Sequence, residues 1–300
     1  MMKSYLKLAA VFVLIVGLIT SLAAPVQAAN NGGINEKLGV PIVVYGDTLS
    51  DEQKNKVSDL LDVNDPEAVK EYTVTGKDIA KYIDGDPNSR MFSSAKITRQ
   101  EKGEGLSINI VTPENITQVT NEMYANALLT AGVEDATVDV ASPVKVSGHS
   151  ALTGIYKAYD AEGQPLDKER MQLADEELGV ATDLTKDGLS QEKVSELLTE
   201  IKKAIADQNP ATKEDVEKIV QEQLDKLGIS LSEEDRQMLI DLFNKMKDLN
   251  INFDEVKNQL DNIASKVQDL VNDEGFWNKV ENFFKKFTNL IGNFFEGLFN

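Results

Sequence analysis

The sequence predicts an α+β protein: a mixed strand–helix N-terminal domain followed by an all-helical C-terminal region. Three observations carry this. Between Gly105 and Asp160, β-branched runs alternate with capped helices almost without slack. From Pro165 onward, strand signals give way to one amphipathic helix after another. The stretch from Phe276 to Phe299 is again helical in period but aromatic in composition.

The first 28 residues have the form of a cleaved signal peptide. Lys3 and Lys7 precede an apolar run from Leu8 to Leu22, and Val26 and Ala28 suit cleavage after Ala28. The run is shorter than the ~20 apolar residues of a membrane span. The expectation is an exported chain, secreted or associated with the cell envelope. It is not a lipoprotein, because the chain contains no cysteine.

In the domain spanning 29–163, Val40–Tyr45 reads as a buried strand. Ser50 and Gln53 form a capping-box pair before a helix bearing Val57, Leu60 and Leu61. Lys70–Thr75 is a second strand, and Gly76 opens a short helix through Ile79 and Ile83. Lys96–Arg99 and Leu106–Val111 look like the arms of a hairpin. A helix from Ile116 to Ala131 is expected, with Thr112 as cap, Pro113 in the first turn and Gly132 as its stop. Thr137–Val146 supplies the next strand. Val74-Thr75-Gly76-Lys77-Asp78-Ile79 and Val146-Ser147-Gly148-His149-Ser150-Ala151 echo each other, suggesting two related strand–helix–strand–helix units in one sheet.

Residues 164–272 read as a helical bundle or helical hairpins. Val194, Leu197, Leu198, Ile201 and Ile205 mark one helix. Thr212 and Asp215 open another, Ser232 a third, and Asn252 or Phe253 a fourth. Residues 273–300 form the last unit. Phe276, Trp277, Val280, Phe283, Phe284, Phe287, Leu290, Ile291, Phe294, Phe295 and Leu298 share one face, which makes it the candidate interaction face. Seven of the chain's 11 phenylalanines and its one tryptophan lie there, so the face needs a cover. The protein's own helices, a partner that includes a second copy, and a membrane surface are the three covers considered. Three lysines against three glutamates from Glu274 on give no basic excess toward anionic lipid.

The formal net charge of −19 becomes −21 once Lys3 and Lys7 leave with the signal peptide. Such a chain repels phosphate backbones, which argues against nucleic-acid partners. Lacking cysteine and holding a single histidine, His149, it has no disulfide, thiolate nucleophile or thiolate zinc site.

Three motifs bear on chemistry. Gly148-His149-Ser150 sits where a nucleophile elbow would, but a serine triad needs a histidine from elsewhere in the fold. Ser150 is therefore read as a helix cap. Ser93-Ser94-Ala95-Lys96 contains S-x-x-K without its companion elements. Asp84, Asp86 and Asn88 place oxygens at alternate positions of a calcium loop, yet Ser89 replaces its glycine and Ala95 its bidentate glutamate. An ordinary turn accounts for them better, and calcium is the one cofactor left open. Paired carboxylates are the remaining catalytic option, and 50 acidic residues make any single pair uninformative. No catalytic residue is assigned.

The passage TNEMYANALLTAGVEDATVDVASPVKVSGHSALTGIYKAYD, together with VVYGDTLSDEQ and the loop from Asp84 to Ser94, resembles the YpuA-like family of exported, functionally uncharacterised bacterial proteins. The resemblance covers Gly39 to Asp160 and implies export in a Gram-positive cell. It brings no activity and no site residues. The leading expectation is a non-enzymatic extracellular or envelope interaction protein whose partner is a protein or envelope component. The alternatives are a carboxylate-based hydrolase acting on wall glycans and a peripheral membrane-surface binder using the last helix, with homo-oligomerisation open.

Overall fold

A computed structural model describes residues 38–272. The tail from 273 to 300, with its aromatic face, and the predicted signal peptide lie outside the described residues. From Val40 onward the described chain belongs to one compact unit. Among the described residues no helix is long and apolar enough to cross a membrane.

The elements run β1 (Ile42–Gly46), α1 (Asp51–Leu60), β2 (Lys70–Val74), α2 (Gly76–Ile83), β3 (Ser94–Arg99), β4 (Leu106–Ile110), α3 (Asn121–Ala131), β5 (Ala136–Ala141) and α4 (Ser150–Ala161). The helices α5 (Lys168–Lys186), α6 (Gln191–Gln208), α7 (Lys213–Leu227), α8 (Glu233–Asp248) and α9 (Lys257–Asn272) follow. The sheet order is β2-β1-β3-β5-β4. β1 and β2 are parallel, as are β4 and β5, and β3 runs antiparallel to both β1 and β5. The α+β class is therefore as expected.

The expected hairpin is not formed. β3 and β4 are separated by β5, which pairs with both. The reason lies in burial. Ala136, Val138 and Val140 are fully buried, whereas β4 exposes Ser107 and Asn109. The more apolar strand takes the interior place and the polar one the edge.

The helix predicted from Ile116 begins only at Asn121. Its cap is Thr120, whose hydroxyl accepts from Met123 N–H at 3.2 Å. Thr112 and Pro113 instead belong to a turn, and the Thr112 hydroxyl accepts from Ser142 N–H at 2.9 Å. Gly132 ends the helix with φ +94°, as expected. β5 stops at Ala141, before Pro143, and Val146 returns only as an isolated bridge to Ile116. The fourth expected helix starts at Lys257, after a turn at Phe253.

Both parallel pairs are strand–helix–strand units, but they are not simple repeats of one another. α1 packs Val57 and Leu61 against Val43 and Tyr45 on one face of the sheet. α3 packs on the other face, in the cluster that holds Ile42, Val44, Ile97 and Val138. That second cluster continues without a break through α4 and into α5–α9, ending at Val267. The helices after Pro165 thus extend the hydrophobic core that the sheet begins.

Candidate functional site

Ligands of open α/β sheets sit beyond the carboxyl ends of parallel strands. Here that crevice, at β1 and β2, is filled by the protein's own loop between Asp84 and Phe92. A Cβ on Gly46 would stand 2.2 Å from the Met91 carbonyl oxygen, and one on Gly76 2.2 Å from that of Pro87. Thr48 N–H donates to the Met91 carbonyl at 3.0 Å, and Met91 N–H to the Thr48 hydroxyl at 2.9 Å. Two glycines at strand ends let the loop seat this closely.

Asp84, Asp86 and Asn88 lie on this loop without converging on a common point. Asp84 caps α2 in the left-handed region at φ 54°, and its carboxylate pairs with Lys168 at 2.8 Å and accepts from Gln172. Lys168 first, and Gln172 with it, holds the Asp84 carboxyl below its ordinary range. Asp86 accepts from Asn88 N–H at 2.8 Å and from its side-chain amide at 3.0 Å, which is an Asx turn. The turn predicted over the calcium alternative is the arrangement found.

The sequence reading of Ser150 as a cap is corrected. His149 occupies the cap position with helical φ and ψ and no side-chain bond to the helix's first turn, and Ser150 is the first helical residue. Burial lowers the His149 pKa, against a bond from its ring to the Leu178 backbone. In the S-x-x-K stretch the motif serine, Ser93, is 1% exposed and its hydroxyl has no hydrogen-bond partner, so it makes no bond to Lys96. Lys96 instead reaches the Leu61 carbonyl and stands 3.6 Å from Asp139. The neighbouring Ser94 hydroxyl accepts from Gly46 N–H at 3.3 Å.

A set of ionisable groups ranging from buried to exposed gathers along α4 and at its C-terminal end. Glu162 accepts from Lys70 at 2.6 Å and from the Tyr72 hydroxyl at 2.8 Å, with Arg99 at 3.8 Å. Asp160 accepts from Lys81 and from the Tyr82 hydroxyl at 2.8 Å, and Asp78 accepts from Lys157 at 2.7 Å. Burial would raise the Glu162 carboxyl, but Lys70 and Tyr72 hold it below its ordinary range. Lys81, then Tyr82, does the same for Asp160. Burial, then Asp160, pushes the Tyr82 phenol up to about 12. At neutral pH these carboxylates stay anionic and the phenol stays neutral. A glycosidase pair needs one carboxyl kept protonated, and this cluster keeps neither.

A second set is buried. Lys202 on α6 and Glu177 on α5 form an ion pair at 2.6 Å, with side chains 0% and 1% exposed. Lys202 also donates to the Asn126 backbone carbonyl at 2.7 Å and to the Thr130 hydroxyl at 2.9 Å, both on α3. Thr130 in turn donates to the other Glu177 oxygen at 2.6 Å, and the Asn126 side chain donates to Thr199 at 2.9 Å. The ammonium thus has three oxygens within 3 Å, the Glu177 contact being an ion pair, while Asn126 Oδ1 beside it is buried without a hydrogen-bond partner. Burial lowers the Lys202 pKa, with Glu177 opposing. This network ties α3, α5 and α6 together and opens on no cleft. It escaped the sequence reading, although Glu177 and Lys202 each fall within an apolar stripe: Ala174–Leu178–Ala181 on α5 and Leu198–Ile201–Ile205 on α6.

The other face of the sheet is polar beyond α1. Cross-strand register aligns Lys96, Asp139 and Asn109 in one row and Thr98, Thr137 and Ser107 in the next. Asn109 donates to Asp139 at 3.1 Å and Gln100 to Thr137 at 3.1 Å. Ser107 and Asn109 are exposed, and the other four are half-buried.

Fold and sites together define an α+β protein on a five-stranded mixed sheet, with the ionisable clusters described above internally paired. The chain belongs to the family described as "Protein of unknown function (DUF1002)", whose model matches residues 45–263. It is 37% identical over 269 residues to the uncharacterized protein YpuA of Bacillus subtilis (strain 168), covering 86% of this chain and 91% of that relative. The likeness therefore reaches well into the helical region, beyond the Asp160 limit seen in the sequence. No solved structure matches.

Proposed function

We propose that this is a non-enzymatic, exported interaction protein of the cell envelope that recognises a neutral, polar envelope polymer such as wall glycan through the open face of β3, β5 and β4. The observation that carries the reading is the aligned display of Thr98, Thr137, Ser107 and Asn109 on a rigid sheet. Hydroxyl and amide groups at fixed strand spacing suit hydrogen bonding to a polar, uncharged chain. A formal charge of −19 disfavours anionic polymers and anionic lipid. The hydrolase alternative gains no support from the α4 cluster, because Asp160 and Glu162 are both held as anions.

The test is co-sedimentation of the processed chain with purified wall sacculi, with release of reducing ends measured in parallel. Binding without release is expected, and Thr137→Lys is expected to weaken it several-fold. Release of reducing ends would establish the hydrolase instead. Absence of sedimentation would end the glycan reading.

A further inference from the structure

β4 is an edge strand, and a single residue of its edge is left open. Ala136 N–H donates to the Gly105 carbonyl and Val111 N–H to that of Val140, so Leu106, Ile108 and Ile110 turn their N–H and C=O groups away from the sheet. Leu106 N–H is met by the Gln259 side-chain oxygen from α9, and Ile110 N–H by that of Asn121, each at 2.9 Å. Ile108 N–H, between them, meets no acceptor among the described residues. A cavity of about 230 Å³ opens at this point, with Leu106, Ile108, Ala125 and Ile263 as apolar walls. Two opposite charges border the same cavity: Glu122 in the first turn of α3 and Lys266 on α9. Among the described residues, neither the carboxylate nor the ammonium is paired with the other or with a third group.

We infer that this cavity binds a free α-amino acid with an apolar side chain, its ammonium toward Glu122 and its carboxylate toward Lys266. Size, length and chemistry select this ligand. The volume exceeds the ~150 Å³ that holds benzene and falls short of the ~300–1,000 Å³ of pockets for drug-sized molecules. Gln259 and Asn121 occupy the strand edge on either side of Ile108, which leaves a window one residue long. An added peptide strand would need the neighbouring N–H groups as well. A purely apolar ligand would strand the Ile108 N–H, and a ligand of one charge would leave Glu122 or Lys266 without a partner. A zwitterion engages both charges, and its carboxylate also accepts from Ile108 N–H while its side chain lies on the apolar walls. The larger cavity of about 730 Å³ between α5 and α8 lacks this balance. It is lined by Asp183, Asp187, Glu234 and Asp235 against one lysine, Lys186, which Asp183 already holds at 2.8 Å. The inference is independent of the proposed role of the polar sheet face.

The test is titration calorimetry of the processed full-length chain with L- and D-leucine, N-acetylleucine, leucinamide and the dipeptide Leu-Leu. At least one leucine enantiomer is expected to bind saturably, one per chain. N-acetylleucine and leucinamide each lack one charge and should bind about tenfold more weakly or less. Leu-Leu should also bind more weakly than leucine. Glu122→Gln should erase the discrimination against N-acetylleucine and keep that against leucinamide, and Lys266→Met should do the reverse. A variant that merely unfolds cannot lose one preference and keep the other. Ala125→Leu fills the cavity and should abolish binding; if circular dichroism shows that it disturbs the fold, the two rim variants decide. Absence of binding by both enantiomers would overturn the inference. So would blocked forms that bind as tightly as leucine, preferences that survive the rim variants, or Leu-Leu binding more tightly than leucine.

Discussion

Lys202 and Glu177 meet at 2.6 Å in the middle of the helical layer, and neither side chain reaches solvent. Taking two such charges out of water costs several kcal/mol per ion, which their attraction offsets only when every remaining donor and acceptor is used. Thr130 meets part of that requirement by bridging the pair, accepting from Lys202 and donating to Glu177, while Asn126 Oδ1 beside them stays without a partner. Removing one partner leaves the other buried and uncompensated. Lys202→Met and Glu177→Gln are each expected to lose about 3–5 kcal/mol in denaturant unfolding. The double variant Lys202→Met/Glu177→Leu should lose far less than their sum. Additive losses would show that the two charges act independently.

The sequence disclosed the fold's local grammar more fully than its long-range pairing. The Ser50–Gln53 and Thr212–Asp215 boxes, the Ser232 cap and the Gly132 stop all sit where residue types alone place them, because a cap is settled within four residues. Strand order follows which strand buries its apolar face most completely, here β5 with Ala136, Val138 and Val140, and adjacency in sequence pointed wrongly to a β3–β4 hairpin. α5 carries no box and mixes charges into its stripe, so its limits were not placed, and Glu177 passed as one more solvated carboxylate. Its position three residues after Ala174 and four before Ala181 was the available signal. The Asp84–Asn88 turn was legible from its Asp, Pro and Asn content. The close seating of its loop on Gly46 and Gly76 was not, since that depends on two strands being neighbours.

That seating makes Gly46 and Gly76 sensitive positions. Gly76→Ala sets a methyl 2.2 Å from the Pro87 carbonyl oxygen and 2.8 Å from that of Ser89, both backbone atoms with little freedom to retreat. A loss of about 1–3 kcal/mol is expected, the usual cost of overpacking. Limited proteolysis should then cut between Asp84 and Phe92 sooner than in the parent. A parent-like melt would mean that the loop does not fill the crevice.

Glu162 joins β2 and β3 to the end of α4, and its carboxyl is depressed in the folded chain. A depressed carboxyl contributes stability that is present above its unfolded value and lost as pH falls through the folded one. Glu162→Gln removes charge-assisted bonds from Lys70 and Tyr72, so a loss of about 1.5–3 kcal/mol at neutral pH is expected. The gap to the parent should close as pH drops below the ordinary glutamate range. A gap independent of pH would assign the loss to packing alone.

Asp175 works in the opposite sense. It lies on α5 two residues before Glu177, and burial raises its carboxyl to about 6 from an ordinary 3.8. Below the ordinary value the group is protonated in both states and exerts no effect. Between that value and about 6 the unfolded chain releases its proton first, so folding loses stability as pH rises, and above about 6 the loss is complete. Asn keeps the shape and removes the charge. Asp175→Asn should therefore be more stable than the parent at neutral pH by ~1–3 kcal/mol, at 1.36 kcal/mol per pKa unit discounted for partial exposure. The advantage should shrink steadily as pH falls toward 4. Urea midpoints measured across that range decide it, and an advantage that persists unchanged in acid would show that the Asp175 carboxyl is not desolvated by the fold.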